Sequence, residues 1–71
     1  MNEKSTTIVT FGIKIRDARK VRKWSQDVLA DEAGVSRPTI ARIERGDDVS
    51  TATLAKVAAA LEMEVELRSQ N

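Results

Sequence analysis

The side chains that most often carry catalysis are missing from this sequence. It contains no histidine, cysteine or tyrosine, so the commonest general base, the best nucleophile and the usual zinc ligands are absent. The adjacent carboxylates of Asp47 and Asp48 follow Gly46 in a predicted turn, where solvated acidic residues are common. We therefore expect no catalytic residue, no metal site and no cofactor, and we predict that the protein is not an enzyme.

Basic side chains are more informative, because they are concentrated in one part of the chain. The overall net charge is +1, yet residues 1–45 carry ten basic and six acidic side chains, whereas residues 46–71 carry two and five. A dense basic run consists of Lys14, Arg16, Arg19, Lys20, Arg22 and Lys23. One basic half predicts a polyanionic partner, although a solvated helix face has the same composition.

The elements that position these charges are expected to form one small domain. The chain has 71 residues, of which 41% are hydrophobic and 32% charged, as in globular proteins. A domain this small buries only about 60% of its unfolded surface, so we expect it to depend on a second chain or on an economical helical core. No apolar run approaches the roughly 18 residues of a membrane span. We expect a cytoplasmic protein without a signal peptide, a membrane partner or a small-molecule ligand.

Three helix starts are marked by one local pattern, an apolar residue followed by a serine. The pairs are Trp24-Ser25, Val35-Ser36 and Val49-Ser50. A serine at the N-cap accepts a hydrogen bond from a free backbone N–H, and the apolar residue before it packs against the new helix. Gly34 and Gly46 stand where the first two helices must end. The predicted helices are 26–33, 37–45 and 51–61.

The two ends of the chain have other patterns. An apolar stripe from Phe11 to Val21 predicts a helix over 11–23, capped by Thr10. Residues 6–10 are all β-branched, and residues 63–68 alternate apolar with charged side chains, which is typical of strands. A lone strand is not stable in water, so we expect the terminal segments to pair, with Val65 and Leu67 on the buried face of a sheet that joins two protomers.

The second and third predicted helices are expected to cross steeply. Only three residues, 34–36, connect them, which is too few for an antiparallel arrangement and is typical of a helix-turn-helix. Ala30 supplies the small side chain that such a crossing needs. The apolar residues expected inside are Leu29, Ala33, Val35, Ile40 and Ile43.

The stretch from Gly12 to Leu61 resembles the phage-repressor and Cro type of helix-turn-helix domain, the XRE family. The resemblance is carried by Ile15-Arg16…Arg19, Ser25-Gln26…Leu29-Ala30, Gly34-Val35-Ser36-Arg37…Ile40…Ile43-Glu44-Arg45-Gly46 and Leu54…Ala58…Leu61. It implies a mainly α, four-to-five-helix DNA-binding domain over 11–61, after an N-terminal segment at 1–10 and before a dimerising strand and tail at 62–71. The ending from Ala60 to Arg68 resembles antitoxins of the HipB type.

By the same resemblance, helix 37–45 is the recognition helix. Its inner face carries Ile40 and Ile43, so its basic and small side chains face outward. The positions implied to contact bases are Arg37, Pro38, Ala41 and Arg42, and those implied to contact phosphates are Gln26, Thr39, Arg45 and Arg19. Arginine can bind a guanine edge through two hydrogen bonds, and a methyl group can touch thymine. Arg19 also resembles the residue that bridges the first helix to the third through Glu44.

Together these features predict a sequence-specific repressor that acts as a homodimer on a palindromic operator in double-stranded DNA. The favoured role is an autorepressing antitoxin with a toxin protein as partner. Two alternatives stay open, a stand-alone phage or plasmid repressor and a protein-interaction module without DNA binding. Asp47 and Asp48 stand where the family often has basic residues, which predicts weaker or differently tilted docking.

Overall fold

The computed structural model describes residues 3–63, with side chains from residue 11 onward, and these residues form four α-helices. Their bounds are α1 Glu3–Val21, α2 Gln26–Ala33, α3 Arg37–Arg45 and α4 Thr51–Ala60. The predicted mainly helical fold is confirmed, and the predicted starts of α2, α3 and α4 agree with the structure. The strand expected at 63–68, with Val65 and Leu67, falls on residues 64 onward, outside the described part of the chain.

Serine side chains hold the starts of three helices, as the sequence predicted. Ser25, Ser36 and Ser50 each accept a hydrogen bond from the backbone N–H three residues later, at 3.1, 3.3 and 3.1 Å. Each bond satisfies one of the N–H groups that a helix start leaves without a partner. The three starts are therefore fixed by local contacts.

Helix α1 begins well before the predicted position. The structure continues it back to Glu3, so the strand expected at residues 6–10 is wrong and Thr10 lies inside the helix. Once a helix is anchored by packing, each further residue adds a hydrogen bond, and the weak helix propensity of β-branched residues does not stop it. At the other end, Val21 is 82% exposed and does not belong to the core stripe.

All four helices end in the same backbone motif. Each is followed by a residue with positive φ, at Lys23 (60°), Gly34 (71°), Gly46 (88°) and Glu62 (58°). The next amide donates to the carbonyl five residues earlier, as in the bond from Trp24 to Arg19, which is the Schellman closure. The two glycines were predicted helix ends, whereas the left-handed conformations of Lys23 and Glu62 were not predicted, because residues with a Cβ atom rarely adopt this backbone conformation.

All four helices contribute to the core, with α1 packed on α3, and α2 packed on both α3 and α4. Its buried side chains are Ile15, Leu29, Ala30, Ile40, Ile43, Leu54, Val57, Ala58 and Leu61. Trp24 packs against this cluster from its edge. Of the apolar residues expected inside, Leu29, Ile40 and Ile43 are buried, whereas Ala33 and Val35 are partly buried and pack against the core. Ala30, the small residue expected where α2 meets α3, is 4% exposed.

None of the helices in the described part of the chain combines the length and the apolar character that a bilayer crossing requires.

Candidate nucleic-acid interface

Helix α3 has one face in the core and the opposite face in solvent. Ile40 and Ile43 are 0% and 1% exposed and lock the helix against the rest of the domain. The side chains of Arg37, Pro38, Arg42 and Arg45 are exposed, with Ala41 half-buried among them. The structure therefore brings the predicted base-contacting residues to one basic surface.

The first turn of α3 accommodates a proline. Arg37 is the first residue of α3 although Pro38 follows it. Proline is tolerated at Pro38 because N–H groups in the first turn have no intrahelical partner, so its missing N–H loses no bond. The Nε of Arg37 lies 3.7 Å from Oδ1 of Asp27 in α2, and both side chains are exposed. The hydroxyl of Thr39 is 2.9 Å from that of Ser36, so this predicted phosphate contact also takes part in the cap.

Helix α2 points its N-terminus at the same surface. Gln26 is its first residue, and its Nε2 donates to Oε1 of Glu44 at 3.2 Å. A helix N-terminus carries a partial positive charge and free N–H groups, which favour an anion. The bond to Glu44 thus holds the Gln26 side-chain amide at this end of α2.

An ion pair beneath this surface joins α1 to α3. Nε and Nη2 of Arg19 donate to the two carboxylate oxygens of Glu44 at 2.7 and 2.9 Å, and Nη1 donates to the carbonyl of Trp24 at 2.8 Å. The side chains are only 11% and 6% exposed. The hydrogen bonds to Glu44, reinforced by its charge against the opposing effect of burial, raise the pKa of Arg19. This geometry supports a positioning role for Arg19 rather than the phosphate contact expected from the sequence.

Residues of α1, α2 and α3 line an open surface depression of about 390 Å³. Its lining residues are Arg16, Arg19, Lys20, Gln26, Ala41, Glu44 and Arg45. Arg19 neutralises Glu44, so Arg16, Lys20 and Arg45 leave the depression with an excess of positive charge. Arg16 and Lys20 belong to the basic run but were not among the predicted site residues. Their spacing of four residues, which puts both on one face of α1, was the available signal.

The matching protein family agrees with this architecture. The helix-turn-helix family model matches residues 15–67. The chain belongs to the XRE-type helix-turn-helix family. Membership of this family, together with relatives that are transcriptional regulators, points to a DNA-binding regulator rather than an enzyme.

Two bacterial regulators are similar in sequence to this helix-turn-helix protein. The HTH-type transcriptional regulator PrtR of Pseudomonas aeruginosa is 39% identical over 61 residues, which are 83% of this chain and 24% of PrtR. The chain thus spans about a quarter of the length of that relative. The uncharacterized HTH-type transcriptional regulator YgzD of Bacillus subtilis is 39% identical over 54 residues, which are 75% of this chain and 82% of YgzD.

A solved helix-turn-helix structure is also similar. The restriction-modification controller protein C.AhdI from Aeromonas hydrophila matches with a TM-score of 0.74 and 35% identity, over 83% of this chain and 91% of that one. This likeness covers most of both chains, so the two proteins share the same overall fold.

Proposed function

We propose that the protein is a repressor that reads DNA sequence by placing the outer face of α3 in the major groove. The carrying observation is that α3 is locked by Ile40 and Ile43 while its opposite face is basic and exposed. A major groove is about 12 Å wide and admits one helix. The domain proposed for this task is 11–61.

Base readout is assigned chiefly to Arg42. Its side chain is exposed and makes no ion pair within residues 11–63, so its guanidinium is available to bind the O6 and N7 atoms of guanine. Arg37 lies at the start of the same face. Pro38 and Ala41 offer apolar surface to thymine methyl groups.

Phosphate contacts are assigned to the ring of polar groups around α3. Gln26 stands at the positive end of α2, and Arg16, Lys20 and Arg45 line the adjacent depression. Thr39 adds a hydroxyl at the first turn of α3. These contacts set the register of the domain on the duplex but carry no sequence information.

We further propose that the protein acts as a homodimer on a two-fold operator, joined through residues 62–71 with Val65 and Leu67 at the contact. Two modules on half-sites one helical turn apart combine two modest affinities. The biological role proposed first is an autorepressing antitoxin with a toxin partner, on the resemblance of residues 60–68. The second candidate is control of a restriction-modification operon, which the likeness to C.AhdI favours.

The genes beside this one discriminate the two roles. If the protein is an antitoxin, expression of the neighbouring open reading frame alone arrests cell growth, and co-expression of this protein restores growth. For a controller, the neighbouring frames encode a methyltransferase and an endonuclease. Growth arrest that this protein does not relieve would contradict the antitoxin role.

DNA binding is tested with duplexes selected from a random library by the wild-type protein. Arg42→Ala is expected to lower affinity for the selected duplex by about 1–3 kcal/mol with little effect on shuffled duplexes, whereas Gln26→Ala weakens both. Lys56→Ala removes an exposed cation from α4, outside the proposed interface, and is the matched control. Equal losses on both duplexes for Arg42→Ala would contradict base readout. Salt-independent binding would instead indicate the protein-interaction class.

A further inference from the structure

We infer that Asp47 competes with DNA phosphate for Arg45 and so sets the affinity and the salt dependence of DNA binding. The inference rests on the proposed function. It assigns a defined role to an acidic residue that stands beside a basic surface.

The carboxylate of Asp47 forms an ion pair with the guanidinium of Arg45. Oδ2 of Asp47 accepts from Nη2 at 2.8 Å and from Nε at 3.2 Å. The side chain of Arg45 is 65% exposed and that of Asp47 is 48% exposed, so the pair forms at the surface, where a phosphate can reach it.

The position of Asp47 is built into the end of α3. Gly46 has φ 88°, which turns the chain back toward the helix, and the amide of Asp47 donates to the carbonyl of Arg42 at 3.0 Å. The backbone of Asp47 is therefore fixed by the helix closure. Its carboxylate therefore lies next to the last turn of α3, and no additional loop residues have to become ordered for the contact with Arg45 to form.

The guanidinium that Asp47 holds belongs to the proposed phosphate site. Arg45 lines the same depression as Arg16, Lys20 and Gln26. A phosphate that binds Arg45 must share it with Asp47 or displace it, and in either case the two anions repel each other. The free protein thus presents one effective cation fewer than its sequence contains, and binding releases correspondingly fewer counterions.

Asp48 provides a matched control. It carries the same charge one residue further along, it is exposed, and within residues 11–63 it makes no hydrogen bond or ion pair through its side chain. Long-range repulsion of DNA acts on Asp47 and Asp48 alike. Competition for Arg45 acts on Asp47 alone.

The experiment compares Asp47→Asn and Asp48→Asn by fluorescence anisotropy with the selected duplex across a salt series. Asp47→Asn is expected to bind about two- to fivefold tighter at low salt, as the loss of a competing surface pair allows. The slope of log affinity against log salt concentration is expected to steepen by about 0.9, the value for one additional phosphate contact. In an Arg45→Gln background, the gain from Asp47→Asn is expected to fall to that from Asp48→Asn.

Three results would overturn the inference. Equal gains from the two asparagine variants would reduce the effect to net charge. Weaker binding by Asp47→Asn, with thermal unfolding unchanged, would mean that Asp47 presents Arg45 to DNA instead of withholding it. If the wild-type protein binds no duplex at low salt, the proposed function itself is wrong. This outcome is seen with the wild-type protein, before any variant is made, and so is distinct from the other two.

Discussion

Gly12 in α1 lies directly against the backbone carbonyl of Ile43 in α3. A Cβ atom added at Gly12 would overlap the Ile43 oxygen and also crowd the carbonyl of Glu44. The obstacle is backbone, which cannot rotate away as a flexible side chain can. Gly12 therefore sets the distance between α1 and the recognition helix.

Replacing this glycine is the most direct test of that packing. Alanine favours a helix interior by up to about 1 kcal/mol over glycine, yet we expect Gly12→Ala to destabilise the fold by about 1–3 kcal/mol because the two helices must separate. Urea unfolding followed by circular dichroism measures the difference. Lys14→Ala, at an exposed position of the same helix, is the control with almost no expected effect. Greater stability of Gly12→Ala would contradict the close approach.

The Arg19–Glu44 pair is expected to behave as one unit. Removing either partner alone leaves a nearly buried charge, so Arg19→Met and Glu44→Leu should each destabilise by about 3 kcal/mol, while the double variant recovers most of that loss. The pKa of Arg19 is raised in the folded protein, so its contribution is complete at every pH below the unfolded value and is lost only in strong alkali. The free energies of unfolding in urea form a double-mutant cycle. Losses of stability that simply add in the double variant would show that the two residues act independently.

Helix ends that are marked by capping residues were predictable from the sequence, whereas features that depend on tertiary packing were not. Ser25, Ser36 and Gly46 fix helix ends through bonds within a few residues, and their positions were read directly from the sequence. The extension of α1 to Glu3 and the left-handed backbone at Lys23 have no such local signal. In the site, the outward face of α3 was predictable from its inner isoleucines. The proximity of α1 to Arg45 was not, because it depends on how the helices pack in three dimensions.

The backbone at Lys23 stores strain that glycine would relieve. Lys23 has φ 60°, a region that costs a residue with a Cβ atom about 1–2 kcal/mol. We expect Lys23→Gly to stabilise the protein by about 1 kcal/mol, since glycine adopts this conformation freely. Lys14→Gly, inside α1, should destabilise it by about the same amount. Thermal unfolding of both variants measures the two shifts, and a loss of stability in Lys23→Gly would contradict the strain.

Dimerisation is tested at the positions proposed for it. Changing Val65 and Leu67 together to lysine should dissociate the dimer and remove most of the operator affinity, because each protomer then binds one half-site alone. Sedimentation equilibrium gives the oligomeric state, and circular dichroism confirms that the helices persist. Changing Glu64 and Glu66 to glutamine adds the same two units of positive charge and tests whether the charge change alone has this effect. A Val65 and Leu67 variant that remains dimeric would move the contact elsewhere, with helix α4 as the next candidate.

In the proposed function, α3 and the N-terminus of α2 form the DNA-binding surface. Amide and side-chain NMR shifts, recorded as the selected duplex is added to the ¹⁵N-labelled protein, test it most directly. We expect the largest changes at Gln26 and over residues 37–45, with smaller changes at Arg16 and Lys20 and none at the exposed Lys56 of α4. Shifts concentrated on α4, or no shifts at a concentration that saturates the duplex, would contradict the assignment.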